Sequence, residues 1–261
     1  TIDTPGNATD FGDLTVGRKS LASCSDGSRG VFGGGSTGSA SNVIDYITIA
    51  TTSNATDFGD LTVSRFSVAA CSNGTFGVFG GGYTGSVTSN VIDYITIATT
   101  GNATDFGDLT VARFAPGACS NSTYGLFGGG FDGGISNVID YITIATTGNA
   151  TDFGDLTVAR SYNGGCSNLI RGVFGGGISN SNVIDYVTID TPGNATDFGD
   201  LTVGRQAPAA CSDGSRGVFG GGSTGSDSNV MDYIAIATTG NAVDFGDLTV
   251  ARDAPAACSG N

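Results

Sequence analysis

The sequence repeats itself about every 47 residues. The string Asp-Phe-Gly-Asp-Leu recurs along the whole chain, with 45 to 48 residues from one copy to the next. Its phenylalanines are Phe11, Phe58, Phe106, Phe153, Phe198 and Phe245. A period of this length is typical of folds in which one small supersecondary unit is repeated around an axis or along a stack. The repeat therefore constrains the fold more strongly than any single motif does.

Each period contains four short segments with strand signals. A small apolar segment leads to a cysteine and then to Ser-Asp-Gly or Ser-Asn-Gly, which predicts a hairpin turn. Next come "RGVFGGG", "SNVIDYITIA" and "TDFGDLTVAR", all rich in β-branched or aromatic residues. The chain has 45 Gly, no Glu and a single Lys, so strong helix formers are scarce. The sequence predicts an all-β fold of four-stranded units.

The repeats predict one domain over residues 1–261, with incomplete units at both ends. Five full repeats cover 24–70, 71–118, 119–165, 166–210 and 211–257, between half-repeats at 1–23 and 258–261. Three arrangements remain open. The halves form a sixth blade without middle strands, or five blades close and the ends pair elsewhere, or the chain is a window of a longer array. Unpaired end strands would invite strand addition from a neighbouring subunit, which predicts an oligomer or a filament.

Three features resemble the kelch repeat of galactose-oxidase-type β-propellers. Glycines end an apolar strand, as in Phe32-Gly33-Gly34-Gly35, and an arginine precedes each following unit. A tyrosine stands late in the next strand, at Tyr46, Tyr94, Tyr141, Tyr186 and Tyr233. The resemblance covers nearly the whole chain and implies five or six four-stranded blades. The phenylalanine of Asp-Phe-Gly replaces the usual tryptophan of the fourth strand, and there are three glycines instead of two.

The wording "NVIDYITIATTGNATDFGDLTVAR" is also similar to repeats in structural proteins of aquatic tailed phages. That similarity implies a viral structural protein, such as a tail fibre component for host attachment, located on the virion or outside the cell. From the composition we expect that the protein does not bind nucleic acid and does not insert into a membrane. The net charge is −14, and both nucleic acid and anionic lipid demand a basic surface.

One arginine stands at the same place in every repeat, although the chain has only 10 basic residues. A guanidinium pairs with carboxylates in a planar fork, so this series predicts a structural clamp between repeats. The expected partners are Asp45, Asp93, Asp140, Asp185 and Asp232. A ring of arginines that binds an anionic ligand is the alternative. The clamp residues are Arg18, Arg65, Arg113, Arg160, Arg205 and Arg252.

The cysteines, the aspartate pairs and the repeated asparagines have structural interpretations. Equivalent cysteines of successive blades lie too far apart for disulfides, so free buried thiols are expected. We expect one aspartate of each Asp-Phe-Gly-Asp string to cap the Asn-Ala-Thr turn. We expect no cofactor and no metal. The alternative is calcium bound by these aspartates, because calcium takes several oxygen ligands. Asn-x-Thr glycosylation candidates are Asn7, Asn54, Asn102, Asn149 and Asn194.

Few residues of the chain are suited to catalysis. The chain has no histidine, and no single repeat carries its own cluster of reactive side chains. A non-enzymatic protein is therefore expected, with a polysaccharide-acting enzyme that uses two aspartates as a remaining alternative.

The positions at which the copies differ predict the binding surface. Differences concentrate after the repeated arginine, in the hairpin turns and after the glycine triplet. Loops of repeat scaffolds emerge on shared faces, and aromatic side chains there can stack on sugar rings. We therefore expect an adhesion module that binds a host surface glycan or protein, with a filament subunit as the alternative. The ligand-binding candidates are Phe66, Phe76, Tyr83, Phe114, Tyr124, Phe131 and Tyr162.

Overall fold

The protein is a β-propeller with five complete four-stranded blades, as a computed structural model of residues 2–259 shows. Blade 1 comprises β1 (Ala22–Ser25), β2 (Arg29–Gly33), β3 (Val43–Thr48) and β4 (Thr56–Asp60). Blade 2 comprises β5 (Ala69–Ser72), β6 (Phe76–Gly80), β7 (Val91–Thr96) and β8 (Thr104–Asp108). Blade 3 comprises β9 (Gly117–Ser120), β10 (Tyr124–Gly128), β11 (Val138–Thr143) and β12 (Thr151–Asp155). Blade 4 comprises β13 (Gly164–Ser167), β14 (Arg171–Gly175), β15 (Val183–Thr188) and β16 (Thr196–Asp200). Blade 5 comprises β17 (Ala209–Ser212), β18 (Arg216–Gly220), β19 (Ser228–Ala235) and β20 (Val243–Arg252).

The strands of each blade pair antiparallel and in chain order. The turn between the first two strands is held by one side chain. In blade 1, the Asp26 carboxylate accepts hydrogen bonds from the backbone N–H groups of Ser28 and Arg29, at 2.8 and 2.7 Å. Asp and Asn favour turns because their side chains can make this bond. The predicted all-β class and the order of four strands in a unit are confirmed.

The fourth strand of each blade carries a β-bulge at its Asp-Phe-Gly. In blade 2, Asp105 is opposite Asp93 and Gly107 is opposite Ile92, so Phe106 is the extra residue. A bulge bends the strand and re-aims a side chain. Phe106 is 3% exposed and meets Tyr94 edge to face, with ring centroids 5.9 Å apart. The bulge therefore turns this phenylalanine into the core.

Neighbouring blades pack through glycines. The fully buried Phe79 of blade 2 lies over Gly33 of blade 1, and the Cys24 Sγ of blade 1 lies against Gly77 of blade 2. A Cβ at Gly33 or Gly77 would stand 2.6 Å from these neighbours, closer than atoms can approach. The thiols thus serve as small apolar groups between blades. All six cysteines are free, as the sequence predicts.

The ring around the axis has six positions, although the chain has five complete blades. Each first strand ends in a serine whose hydroxyl donates to the backbone carbonyl of the preceding serine. For example, Ser72 Oγ lies 2.6 Å from Ser25 O, and Ser25 Oγ lies 2.5 Å from Ser259 O. Ser259 Oγ in turn donates to Ser212 O. The serines of this closed ring are Ser25, Ser72, Ser120, Ser167, Ser212 and Ser259.

The two chain ends share the sixth position. Residues 254–259 take the inner place, and residues 7–14 take the outer place. The Ala55 N–H donates to Asp13 O at 2.8 Å, as the Ala103 N–H donates to Asp60 O in the next blade. The Asp247 N–H donates to Asn7 Oδ1 at 3.2 Å. No described residue fills the second and third strand places between these segments. The two ends of the described chain thus meet at one ring position, and we call the space that residues 2–259 leave between them the vacancy.

Candidate functional site

Five buried arginine–aspartate pairs join successive ring positions. Arg113 follows blade 2, and its Nη2 lies 2.9 Å from Asp140 Oδ2 in blade 3. The same nitrogen donates to Phe127 O at 3.1 Å, and Thr110 Oγ1 donates to Asp140 Oδ1 at 2.6 Å. The Arg113 carbonyl accepts from the Gly82 N–H of blade 2 at 2.9 Å. One residue therefore holds two blades together. The five pairs are Arg18–Asp45, Arg65–Asp93, Arg113–Asp140, Arg160–Asp185 and Arg205–Asp232.

Burial shifts the pKa values of these groups toward their neutral forms, and pairing offsets that shift only in part. Desolvation lowers the pKa of Arg113, while the Asp140 carboxylate acts in the opposite direction. Desolvation raises the pKa of Asp185, which the Arg160 guanidinium partly offsets. A buried pair of this kind is costly to break, because removal of one partner leaves the other charge buried alone. Since the carboxylates already occupy these guanidinium groups, the alternative of a ring for an anionic ligand is not supported.

Arg252 departs from the clamp prediction. Its carbonyl accepts from the Gly222 N–H at 2.9 Å, as in the other copies. Its side chain, however, is exposed and makes no ion pair with any residue between 2 and 259. The physical reason is the vacancy, because the aspartate that would meet Arg252 belongs to an unfilled third strand. The residues before Arg252 also differ, since they continue β20 where the other copies bend.

Five of the seven predicted ligand-binding residues form one continuous group, which we call the aromatic ridge. Ring centroids lie 5.5 Å apart for Phe66–Tyr83, 5.6 Å for Tyr83–Phe114, 5.3 Å for Phe114–Phe131 and 6.1 Å for Phe114–Tyr162. All five side chains are half-buried. Backbone bridges Phe66–Tyr83 and Phe114–Phe131 each fix a loop of one blade to the segment that precedes that blade, and the Tyr83–Phe114 ring contact joins the two blades. The ridge is therefore a fixed surface, not a set of independent loops.

Tyr162 extends the ridge over one mouth of the central channel. It belongs to a series of backbone hydrogen bonds around the axis, in which the Tyr162 N–H donates to Ala115 O and the Ala115 N–H donates to Ser67 O. Burial raises the pKa of the Tyr162 hydroxyl, and a hydrogen bond with the Ser67 side chain acts in the opposite direction. The free space at this mouth is about 100 Å³, against about 700 Å³ at the opposite mouth, which the hairpin turns line.

Phe76 and Tyr124, the other two predicted ligand-binding residues, do not join the aromatic ridge. They begin β6 and β10, at the opposite strand end from the ridge. Phe76 packs on Tyr94 with centroids 5.9 Å apart, and Tyr124 packs on Tyr141 at 5.7 Å. In blade 1, Arg29 takes the same place over Tyr46. The position therefore covers a tyrosine of the third strand, whether with an aromatic ring or with a guanidinium.

The hydrogen bond that holds the Asn-Ala-Thr turn is made by the asparagine side chain, and not by an aspartate side chain as the sequence predicts. Asn102 Oδ1 accepts from the backbone N–H of Asp60 in the preceding unit at 3.1 Å, so the asparagine caps the aspartate. Asn241 makes the same bond to the Asp200 N–H at 3.1 Å, although its glycosylation sequon is broken. The bond thus has a structural purpose that is independent of glycosylation. The glycosylation candidates are all exposed, and their modification stays a prediction.

The vacancy is a cavity of about 480 Å³. Phe32 and Ile47 of blade 1 face it from one side, and Arg252 lines the other side. The repeat count indicated a missing middle, but sequence reasoning missed these wall residues. The available signal was the series of arginines, which has one more member than the series of Asn-Val-Ile-Asp-Tyr aspartates.

These features define the class of the protein as a β-propeller with five four-stranded blades, whose sixth ring position is filled only in part by residues 2–259. No protein-family model matches the chain, and no curated protein matches it. Within residues 2–259, no helix is long and apolar enough to cross a membrane. No group of three acidic or cysteine side chains in that range is arranged to hold a metal ion.

Proposed function

We propose that the protein is a non-catalytic adhesion module that binds a carbohydrate through the aromatic ridge. The observation that carries this proposal is the contact of Phe66, Tyr83, Phe114, Phe131 and Tyr162 on one face. Half-exposed aromatic rings offer flat apolar area on which the C–H faces of a sugar can stack, while hydroxyl groups of the sugar stay in water. The other bridge positions are polar, with Lys19–Ser36 and Gln206–Ser223, so the aromatic surface is local.

The charge of the chain narrows the range of glycans that we expect it to bind. With a net charge of −14, the protein repels polyanions at moderate ionic strength. A neutral glycan therefore fits better than a sialylated or sulfated one. A protein surface on the host is the competing partner, because aromatic residues are also enriched in protein interfaces.

The biological setting that we propose is the surface of a virion or another extracellular assembly. This setting is supported by the similarity of the repeated sequence to repeats in structural proteins of aquatic tailed phages. The kelch assignment of the blades rests on the glycines that end each second strand and on the tyrosine of each third strand. Immunogold labelling of native particles tests the setting, because a label on tails or fibres supports it and a label confined to the cell interior opposes it.

A glycan array with two matched variants tests the binding surface. Phe114→Ala removes the ring that contacts three others in the ridge. Phe76→Ala removes the same kind of ring from the opposite strand end. We expect wild type and Phe76→Ala to bind the same neutral glycans, and Phe114→Ala to lose about tenfold in affinity. Equal binding by Phe114→Ala, with an unchanged unfolding temperature, would show that the ridge is not the site.

A further inference from the structure

The wide mouth of the central channel, on the face opposite the aromatic ridge, is a second pocket of the molecule. Its volume is about 700 Å³, within the range of about 300–1,000 Å³ that is typical of small-ligand sites. The hairpin turns between the first and second strands of the five blades surround it, and the serines that end the first strands line it as well. Among its described lining residues, only Ser259 belongs to the sixth ring position.

The serine hydroxyls of this pocket can accept hydrogen bonds, but their protons are already used. Ser72 Oγ donates to Ser25 O at 2.6 Å, and Ser120 Oγ donates to Ser72 O at 2.7 Å. Ser167 and Ser212 make the same bond at 2.6 Å. A hydroxyl has one proton and two lone pairs, and backbone N–H groups occupy one lone pair of Ser120 and of Ser167. Each oxygen therefore keeps at least one lone pair for a ligand that donates hydrogen bonds.

Both charged groups that line the pocket are negative. Asp26 and Asp213 begin the hairpin turns of blades 1 and 5, and no basic side chain within residues 2–259 lines the pocket. One oxygen of each carboxylate accepts two backbone N–H groups of its own turn, so the other oxygen remains for a ligand. Desolvation opposes the charge of Asp213, but the backbone hydrogen bonds outweigh it and lower the pKa below its ordinary value. This carboxylate is thus charged at neutral pH.

The arginines that follow three of these turns are held away from the pocket. Arg29 lies over the ring of Tyr46, 4.9 Å from its centroid, and donates to Ile97 O of the next blade at 3.1 Å. Arg171 lies in the same way over Tyr186, at 4.4 Å. A cleft lined by charges of one sign concentrates ions of the opposite sign. The pocket therefore favours a cation.

One turn adds an apolar group to this polar pocket. Leu169 and Ile170 line it, and they are 72% and 63% exposed. The other four turns have Gly-Ser, Gly-Thr or Ser-Thr at these two places. The turn does not need the apolar pair, because Asn168 Oδ1 accepts from the Ile170 N–H at 2.8 Å just as Asp26 accepts from the Ser28 N–H. A ligand that covered the pair would remove its apolar area from water.

The order of the blades places the apolar pair and one carboxylate on opposite sides of the pocket. The serine hydrogen bonds run from blade to blade in chain order around six positions, so blade 4 is three positions from blade 1. Leu169 and Ile170 of blade 4 thus lie across the axis from Asp26, whereas Asp213 is on the neighbouring blade. An extended ligand across the mouth therefore meets a carboxylate at one end and aliphatic side chains at the other.

We propose that the wide mouth binds an organic cation, namely an aliphatic chain that ends in a primary ammonium group. The ammonium group donates to Asp26 and to serine oxygens, and the chain packs on Leu169 and Ile170. Asp213 adds a second negative charge beside the chain. Free alkylamines and the lysine side chains of peptides share this chemistry. The site is separate from the aromatic ridge, so it does not rest on carbohydrate binding there.

The test titrates hexylammonium into the full chain and follows the heat of binding. The probe without a charge is 1-hexanol, and the probe without a long chain is ethylammonium. We expect hexylammonium to bind about tenfold more tightly than either, because it alone combines the charge with the apolar contact. Its affinity is expected to fall as the salt concentration rises, since the carboxylates are partly exposed to solvent. A short peptide with one lysine distinguishes the two sources, because it binds only if the pocket admits a lysine attached to a backbone.

Matched variants locate the site. Asp26→Asn and Asp213→Asn keep the turn, because asparagine stands at this place in blades 2, 3 and 4. We expect each change to weaken hexylammonium binding about threefold, and both together about tenfold. Asp132→Asn makes the same change in net charge on the opposite face and is expected to leave the affinity unchanged. Leu169→Gly with Ile170→Thr gives the turn sequence of blade 2 and is expected to abolish the preference for hexylammonium over ethylammonium.

Four results would overturn the proposal. The first is no binding of hexylammonium at millimolar concentration, and the second is equal binding of 1-hexanol. The third is an equal loss in Asp132→Asn and in the double aspartate variant, because the attraction would then come from the net charge and not from the pocket. The fourth is a loss in Phe114→Ala without a loss in the double aspartate variant, which would place the cation on the aromatic ridge. Unfolding temperatures of all variants establish that each is folded.

Discussion

The same six residues, Ala-Pro-Ala-Ala-Cys-Ser, occur at 207–212 and at 254–259, with different structures. The first copy contains β17, which pairs with β18. The second copy keeps its place in the serine ring, yet it forms no strand. A second repeated segment shows the same difference. The sequence Ala-Thr-Asp-Phe-Gly-Asp contains β4 at residues 55–60 but forms no strand at residues 8–13. Contacts between neighbouring blades therefore set the position of a segment, whereas a ladder partner within the blade makes it a strand.

The largest test of this comparison pairs Arg113 with Arg252. Arg113→Ala leaves the Asp140 carboxylate buried without its cation, so we expect a loss of about 3–5 kcal/mol in the free energy of unfolding. Arg252→Ala removes an exposed side chain with no acidic partner, and we expect a change within about 0.5 kcal/mol. Denaturant unfolding of both variants gives these values. A similar loss for the two would mean that Arg252 has a partner after all.

Glycines at equivalent places give the next largest contrast. A Cβ at Gly80 would stand 2.7 Å from the ring of Phe127, whereas a Cβ at Gly220 would stand 3.4 Å from its nearest neighbour. We expect Gly80→Ala to cost about 1–3 kcal/mol through overpacking. Gly220→Ala should be close to neutral, because the phenylalanine that would cover it is missing. Thermal unfolding compares them, and equal destabilisation would contradict the glycine-to-phenylalanine contact as the cause.

The thiols predict how the stability depends on pH. Burial raises the pKa of Cys71 from its ordinary value of 9.0 to about 12, and that of Cys211 to about 11. A raised pKa means that the folded protein keeps its proton while the unfolded chain loses it. Stability is thus full below pH 9 and is lost as the pH rises toward 12, by about 1.4 kcal/mol per pH unit for one thiol.

Replacement of each thiol separates the two regions. We expect Cys71→Ala to reduce the slope of unfolding free energy against pH more than Cys211→Ala does, because Cys71 is buried and has the higher pKa, whereas Cys211 is half-buried. Alkylation should also modify Cys211 before Cys71. An identical slope for wild type and Cys71→Ala would remove the thiol as the origin of the alkaline instability.

The smallest contrast concerns one methyl group. Ile97→Val removes a methyl group from a fully buried side chain, which should cost about 1 kcal/mol. Ile49→Val makes the same change in a half-buried side chain at the vacancy, and we expect less than half of that cost. If the two costs are equal in denaturant unfolding, then the wall of the vacancy is packed as tightly as the interior.

The sequence was sufficient for the parts of the fold that depend on local pattern. Turn signals and β-branched runs located the four strands of each blade. The bulge at Phe106 was not predictable, because its register depends on the pairing of two strands and not on either one. The direction of the Asn102 bond also depends on the preceding unit. The place of Phe76 was missed because variation between copies does not reveal at which strand end a residue lies.

Ring closure was open for a similar reason. A period of 47 residues specifies the blade but not the angle between blades, which follows from the packing of Phe79 on Gly33 and of Cys24 on Gly77. The count of arginines against aspartates contained the clue to Arg252. That clue became useful once the structure paired each remaining arginine with an aspartate in the following blade.

The closed ring of six serines places the third position across the axis from the sixth. Phe114 and Phe131 belong to the third, and the vacancy belongs to the sixth. The aromatic ridge is therefore centred across the ring axis from the vacancy, and access to one does not pass through the other.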